Sequence, residues 1–191
     1  MLTDAGSPGV ATTATTIEGI VARLEQIARS LPVSDGVACF NRMYLTVTRL
    51  VQEHLVQGTF TDPVAMHTLD VTFANLYLSA VDADLAGSPV PEAWAPLFAR
   101  RADPGLVPIQ FALDGMNAHI THDLPLAVAD KCAQEGSAPE QGSFHGDYLR
   151  VNALALWHLR GLPAVRDAFG AALAGSVGLV TAGLLTAAPT P

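Results

Sequence analysis

The chain has 191 residues, enough for one domain with a sizeable core, and half of them are hydrophobic while only 6% are aromatic. Ala, Leu and Val therefore supply most of the apolar mass, which favours close-packed helices over a sheet-rich fold. A net charge of −8 and scattered basic residues, nine Arg and the single Lys131, exclude a phosphate-binding surface and with it nucleic acid as a partner.

Residues 1–13 carry Asp4 and no basic n-region, so they read as a disordered lead and not as a signal peptide, and a cytoplasmic location is the expectation. A single helical domain is expected over 14–188. Thr15-x-x-Glu18 reads as a capping box ahead of Ile17, Ile20, Val21, Leu24 and Ile27, whose spacing is helical, and the helix should end near Leu31-Pro32. Ser34 or Asp35 caps a second helix that stops at Gly58. Asp62-Pro63, an N-cap followed by Pro at the first helical position, opens a third helix toward Leu85. A short helix follows around Trp94 and Phe98.

Asp103-Pro104 repeats the start signal. The helix it opens should run to about Gln134, bent at Pro125, which cannot donate to the carbonyl of Thr121. Asp147 is expected to cap a helix to Leu159, and a last one should cover 164–185. No period-2 run is long enough for a sheet, and no repeat or linker divides the chain. The expected fold is all-α: one bundle of about six or seven helices with a Pro-kinked central helix. Residues 168–188 hold no charge and match a membrane span in length, yet they are rich in Ala, Gly, Ser and Thr and lack aromatic anchors. A core helix is the expectation, and membrane attachment the alternative. Cys39 and Cys132 lack the spacing of a zinc or redox pair and read as buried small hydrophobes.

The polar residues that break the apolar pattern define the candidate site. His119, His122 and Asp123 stand at i, i+3 and i+4 and share one helical face within an apolar run. The cluster either faces solvent or forms a site. Asn117 lies on an adjoining face. On the third helix, His67 and Asp70 interrupt the stripe of Met66, Phe73, Ala74 and Tyr77. A core aspartate needs a partner, for which Arg42 is a candidate. On the second helix Asn41 and Tyr44 share a face with Thr48, and on the helix after 147 Tyr148 and Asn152 share another. No Gly-x-Ser-x-Gly, P-loop or dinucleotide fingerprint is present.

Phe40-Asn41-Arg42-Met43-Tyr44, Leu69-Asp70-Val71-x-Phe73-Ala74, Gly115-Met116-Asn117-Ala118-His119-Ile120-x-x-Asp123-Leu124-Pro125 and Asp147-x-x-x-Val151-Asn152 resemble motifs of an actinobacterial family catalogued only as a domain of unknown function. The resemblance spans about residues 38–160. It implies a helical fold with a shared polar centre and no particular reaction. A weaker likeness to helical zinc-dependent phospholipases C rests on His119-x-x-x-Asp123-x-Pro125, but those enzymes continue into a further histidine ligand and 126–130 contains none.

Three functions follow as expectations. The first is an enzyme, a tailoring enzyme of secondary metabolism, acting on a largely apolar small molecule by isomerisation, cyclisation or addition–elimination. In it His119, Asp123 and Asp70 are catalytic, and Asn41, Arg42, Tyr44, His67, Asn117, His122, Tyr148 and Asn152 bind substrate, with no cofactor. The second is a metal-dependent hydrolase with a single divalent metal on His119, Asp123 and Asp70. The third is a non-catalytic small-molecule or lipid-binding protein.

Overall fold

The computed structural model describes residues 13–139 and 142–161. Most of the lead, the helix expected at 164–185 and the uncharged stretch 168–188 lie outside the described residues. Among the described residues the protein is all-α, a single helical bundle without strands. Its helices are α1 (Ile17–Ser30), α2 (Gly36–Val56), α3 (Pro63–Leu85), α4 (Ala95–Arg100), α5 (Pro108–Ala118), α6 (Leu124–Glu135) and α7 (Gly142–Gly161), with a π-helical turn at His119–Asp123 between α5 and α6. No described helix is long and apolar enough to cross a membrane.

Local signals set most of the boundaries. The Asp35 carboxylate accepts from the Val37 and Ala38 amides at the start of α2 (2.8 and 3.2 Å), and Asp62 accepts from the Ala65 amide at the start of α3 (3.0 Å). α1 is capped by Thr16, one residue beyond the expected Thr15, through its hydroxyl and the Gly19 amide. The chain leaves α2 at Gly58 and α6 at Gly136, both in the left-handed region (φ 70° and 59°), where glycine carries no Cβ penalty.

Two expected starts are corrected. The Asp103 carboxylate accepts from Gly105 and Arg100, closing a turn, so α5 begins later, at Pro108. Asp147 lies inside α7 rather than at its cap; it is buried and accepts from the Asp62 amide and Arg150, both at 2.7 Å, which ties α7 to the start of α3.

α2 and α3 form the middle of the bundle. α2 packs on α1, α3, α4, α5 and α7; α3 packs on α1, α2, α6, α7 and the π-turn. The main apolar cluster joins Ile20 and Leu24 of α1, Phe40 and Tyr44 of α2, Tyr77 and Leu78 of α3, Trp94 and Phe111. A second, around Phe60, Met66, Leu69, Ala127 and Phe144, lies where α3, α6 and α7 meet. Free Cys39 and Cys132 are buried, as small hydrophobes would be.

α2 and α5 approach closely because each presents a glycine to an aromatic ring. A Cβ at Gly36 would lie 2.5 Å from the Phe111 ring, and one at Gly115 would lie 2.5 Å from Phe40. Phe40 in turn touches Tyr44, Tyr77, Trp94 and His119, so it has no free direction in which to yield. Gly115→Ala should therefore cost about 1–3 kcal/mol of stability through overpacking. Urea unfolding of the variant checks this, and an unchanged midpoint would show that α2 and α5 separate freely.

Candidate functional site: a buried His–Asp centre

His119, His122 and Asp123 all lie in the π-turn. The Leu124 amide closes it by donating to the His119 carbonyl, five residues back. Pro125 follows in the first turn of α6, so the break expected at this proline takes the form of a widened turn just before it. Such a turn leaves the normal register of helix faces, and here it brings two imidazoles, those of His119 and His122, onto one carboxylate.

Asp123 is 1% exposed, and both its oxygens are engaged. Oδ2 lies 2.8 Å from His119 Nδ1, Oδ1 lies 2.8 Å from His122 Nδ1, and the Trp94 indole N–H donates to both at 3.1 and 3.2 Å. An ionised carboxylate accepts only, so these contacts fix the proton of each imidazole on Nδ1. In neutral His119 the remaining nitrogen, Nε2, carries a lone pair. It is buried and has no hydrogen-bond partner.

The walls around His119 are aromatic. Phe73 stacks on its face at 3.6 Å with an 8° tilt, and Tyr44 meets it edge-on at 4.4 Å. Phe40, Trp94 and Tyr77 complete the shell at 5.8–6.2 Å. Of these five rings only Phe73 is partly exposed. The apolar surroundings hold the His119 pKa below its ordinary 6.5; the Asp123 bond opposes this without overcoming it.

Two more orphaned polar atoms belong to the same neighbourhood. The Tyr44 hydroxyl and Asp70 Oδ2 are sealed from solvent without a hydrogen-bond partner. Together with His119 Nε2 they make three of the four such side-chain atoms among the described residues, the fourth being Ser137 Oγ. Asp70 lies one helical turn before Phe73. Burial raises its pKa from 3.8 to about 7. Burial also pushes the Tyr44 phenol well above its usual range, and the nearby Asp70 charge pushes it further. Thr48 weakly opposes that rise, but its hydroxyl proton goes to the Tyr44 backbone carbonyl at 3.0 Å.

The other candidates fall elsewhere. Asn41 is fully buried but structural, donating to the Leu24 carbonyl (2.8 Å) and accepting from the Tyr77 hydroxyl (3.3 Å). Arg42 does not neutralise Asp70: it points to the Val33 carbonyl and Cys39 Sγ. Asn117 is exposed, and its carbonyl accepts from Thr121. His67 is half-buried near Glu18 of α1, where its charge favours that carboxylate. Tyr148 joins the second apolar cluster, and Asn152 is half-buried one turn along α7.

Trp94 was not among the expected site residues; the signal available was a lone indole just before a short apolar helix, whose N–H needs a partner once buried. Among the described residues no group of three or more His, Cys, Asp and Glu side chains is placed to hold a metal. The His119, Asp123 and Asp70 ligand set is therefore not assembled, and Asp123 has no free oxygen to offer.

A helical bundle with a carboxylate-anchored histidine sealed among aromatic rings defines the class of protein. The chain belongs to the family of unknown function DUF5995, whose model matches residues 17–180. No curated protein and no solved structure matches it.

Asp70 holds its proton more tightly in the folded protein than in the unfolded chain. Its contribution to stability is therefore lost as pH rises from about 4 to about 7. Asp70→Asn should gain stability over the parent at pH 8, by up to about 4 kcal/mol, and the difference should vanish near pH 4. Urea midpoints at the two pH values measure this; a constant difference would show that Asp70 is not sealed.

Proposed function

We propose that the protein is a small-molecule enzyme in which His119 acts as general base and acid, Asp123 orients it, and Asp70 is the second proton carrier. One observation supports this above the rest: His119 Nδ1 is bonded to Asp123, while Nε2 is buried and unpartnered in an apolar shell, and two more unpartnered atoms, the Tyr44 hydroxyl and Asp70 Oδ2, lie on the two helices that form the middle of the bundle. A histidine serving structure alone would pair both nitrogens, since each orphaned buried group costs about 1–3 kcal/mol. A base whose pKa is lowered by burial and an acid that titrates at about 7 suit isomerisation, cyclisation or addition–elimination. The substrate is a largely apolar small molecule. A cytoplasmic tailoring step in the secondary metabolism of an actinobacterium is the setting this reading favours.

A second reading, non-catalytic binding, draws on a different surface. A groove of about 340 Å³ is lined by Ile120, Leu124, Pro125, Val128, Phe144 and Tyr148 among others, and neither His119 nor Asp123 lines it. Its lining is mostly apolar and suits an apolar guest.

Incubation of the protein with an apolar metabolite extract, followed by mass spectrometry, separates the two. The acid–base reading expects a product of unchanged mass, or of mass altered by one water, that disappears with His119→Gln and falls at least 100-fold with Asp123→Asn. Turnover that survives both substitutions would refute it, and retention of a compound without conversion would favour the second reading. Once a substrate is found, kcat/KM should fall on the acid side as His119 becomes charged, at a pH below the ordinary imidazole range. It should also fall above about 7 as Asp70 loses its proton, and Asp70→Asn should remove this upper limb alone.

A further inference from the structure

We infer that Tyr44 and Asp70 form a two-donor pocket for a carbonyl oxygen, so that the substrate class of the His119 centre is a neutral, apolar ketone or enone with an acidic α C–H. The inference rests on the acid–base reading and specifies what that chemistry acts upon.

The three orphaned atoms differ in what they need. His119 Nε2 has a lone pair, because its Nδ1 proton is held by Asp123. Tyr44 and Asp70 have O–H protons to donate; the Tyr44 hydroxyl is buried, and Asp70 is half-buried with its Oδ2 sealed, and desolvation disfavours both anions. A ligand satisfying all three brings one weakly acidic hydrogen and one oxygen that accepts twice. An enolisable carbonyl compound has both. A buried carboxylic acid kept neutral by apolar walls is a strong donor to such an oxygen, and its worth grows as negative charge develops there.

The surroundings disfavour ligands whose charge is fixed before they bind, such as carboxylates and phosphates. Arg42 is engaged at Val33, and Lys131, itself buried, pairs with Glu135 and lies over the Phe144 ring. A carboxylate or phosphate would therefore meet the Asp70 carboxyl with neither Arg42 nor Lys131 to offset it. The walls are Phe40, Tyr44, Phe73, Tyr77 and Trp94. Phe73, the partly exposed ring, is where a ligand would enter.

The step balances without a co-reactant. His119 Nε2 takes the α proton, and the C–H electron pair becomes the C=C bond of an enolate. The carbonyl π pair moves onto oxygen, which accepts from Tyr44 O–H and Asp70 O–H. The imidazolium, its Nδ1–H still on Asp123, returns the proton to the same carbon or to the conjugated one as C=O reforms. The net change is isomerisation, or in D2O exchange of hydrogen for deuterium.

The full-length protein tests this with two probes. 4-Nitrophenol mimics the enolate oxygen, and its absorbance reports binding as phenolate; 4-nitroanisole lacks the hydroxyl. The pocket requires 4-nitrophenol to bind at least tenfold more tightly than 4-nitroanisole and as phenolate. Tyr44→Phe and Asp70→Leu should each remove that preference, Asp70→Asn, which keeps a donor, should retain it, and His119→Gln should leave it within twofold. Equal binding of the two probes, or a preference indifferent to Tyr44 and Asp70, would overturn the inference; the orphaned atoms would then hold water only. α-Deuteration of 1-tetralone in D2O, followed by NMR, reads the base separately: the protein should accelerate it and His119→Gln should abolish it. Phenolate binding without deuteration would keep the pocket and count against His119 as base, whereas His119-dependent turnover of another compound with no phenolate preference would leave the base and remove the pocket.

Discussion

The Asp123 carboxylate is the constraint on which the centre depends. A carboxylate taken from water into a core is stable only if its lone pairs are filled. Here Trp94, His119 and His122 fill them from two parts of the chain. The arrangement couples the short segment around α4 to the α5–α6 junction, and it holds Trp94 and His119 within one aromatic shell around Phe40. Its removal would leave an indole N–H and two imidazole N–H groups without acceptors, two of the three deep in the core. His122, whose side chain is 38% exposed, is the one of the three donors that also reaches solvent.

The π-turn is the backbone form of the same constraint. Pro125 has no amide proton, so the helix could not continue through it with every carbonyl paired. The chain instead widens by a residue at His119–Asp123 and begins α6 afresh at Leu124. Inserting the anomaly where the polar residues stand lets them turn inward while Ile120 turns outward to the groove. π-turns recur at functional sites for this reason: a local register change aims side chains that a regular helix would spread over its surface.

Much of the fold was legible because it is written locally. The Asp35 and Asp62 caps, the stop at Gly58 and the apolar spacing of α1 each depend on residues within one or two turns. The pair His119 and Asp123 was legible for the same reason, since i, i+4 spacing needs no knowledge of the rest. The misreadings share an opposite cause. Asp103-Pro104 and Asp147 have the composition of caps, yet their carboxylates are claimed by Arg100 and Gly105 in one case and by Asp62 and Arg150 in the other. Asn41 looked like a ligand contact because a mid-helix amide needs a partner; the partner proved to be the Leu24 carbonyl, seventeen residues away. Trp94 reaches Asp123 across twenty-nine residues, and no periodicity encodes such a contact.

The chemistry of the centre follows from one physical cause acting on groups of opposite type. Burial disfavours charge, so it raises the Asp70 pKa and lowers that of His119. In water at neutral pH an aspartate is already ionised and a histidine is only partly neutral, so the acid of such a pair has no proton to give. Burial inverts the order: the Asp70 carboxyl keeps its proton into the range where the His119 imidazole has lost its own. The same desolvation that makes both groups costly to fold thus leaves one protonated and the other free at one pH. The Asp123 oxygens are filled by N–H donors, and this lets Asp123 hold His119 Nδ1 while the free nitrogen faces the core.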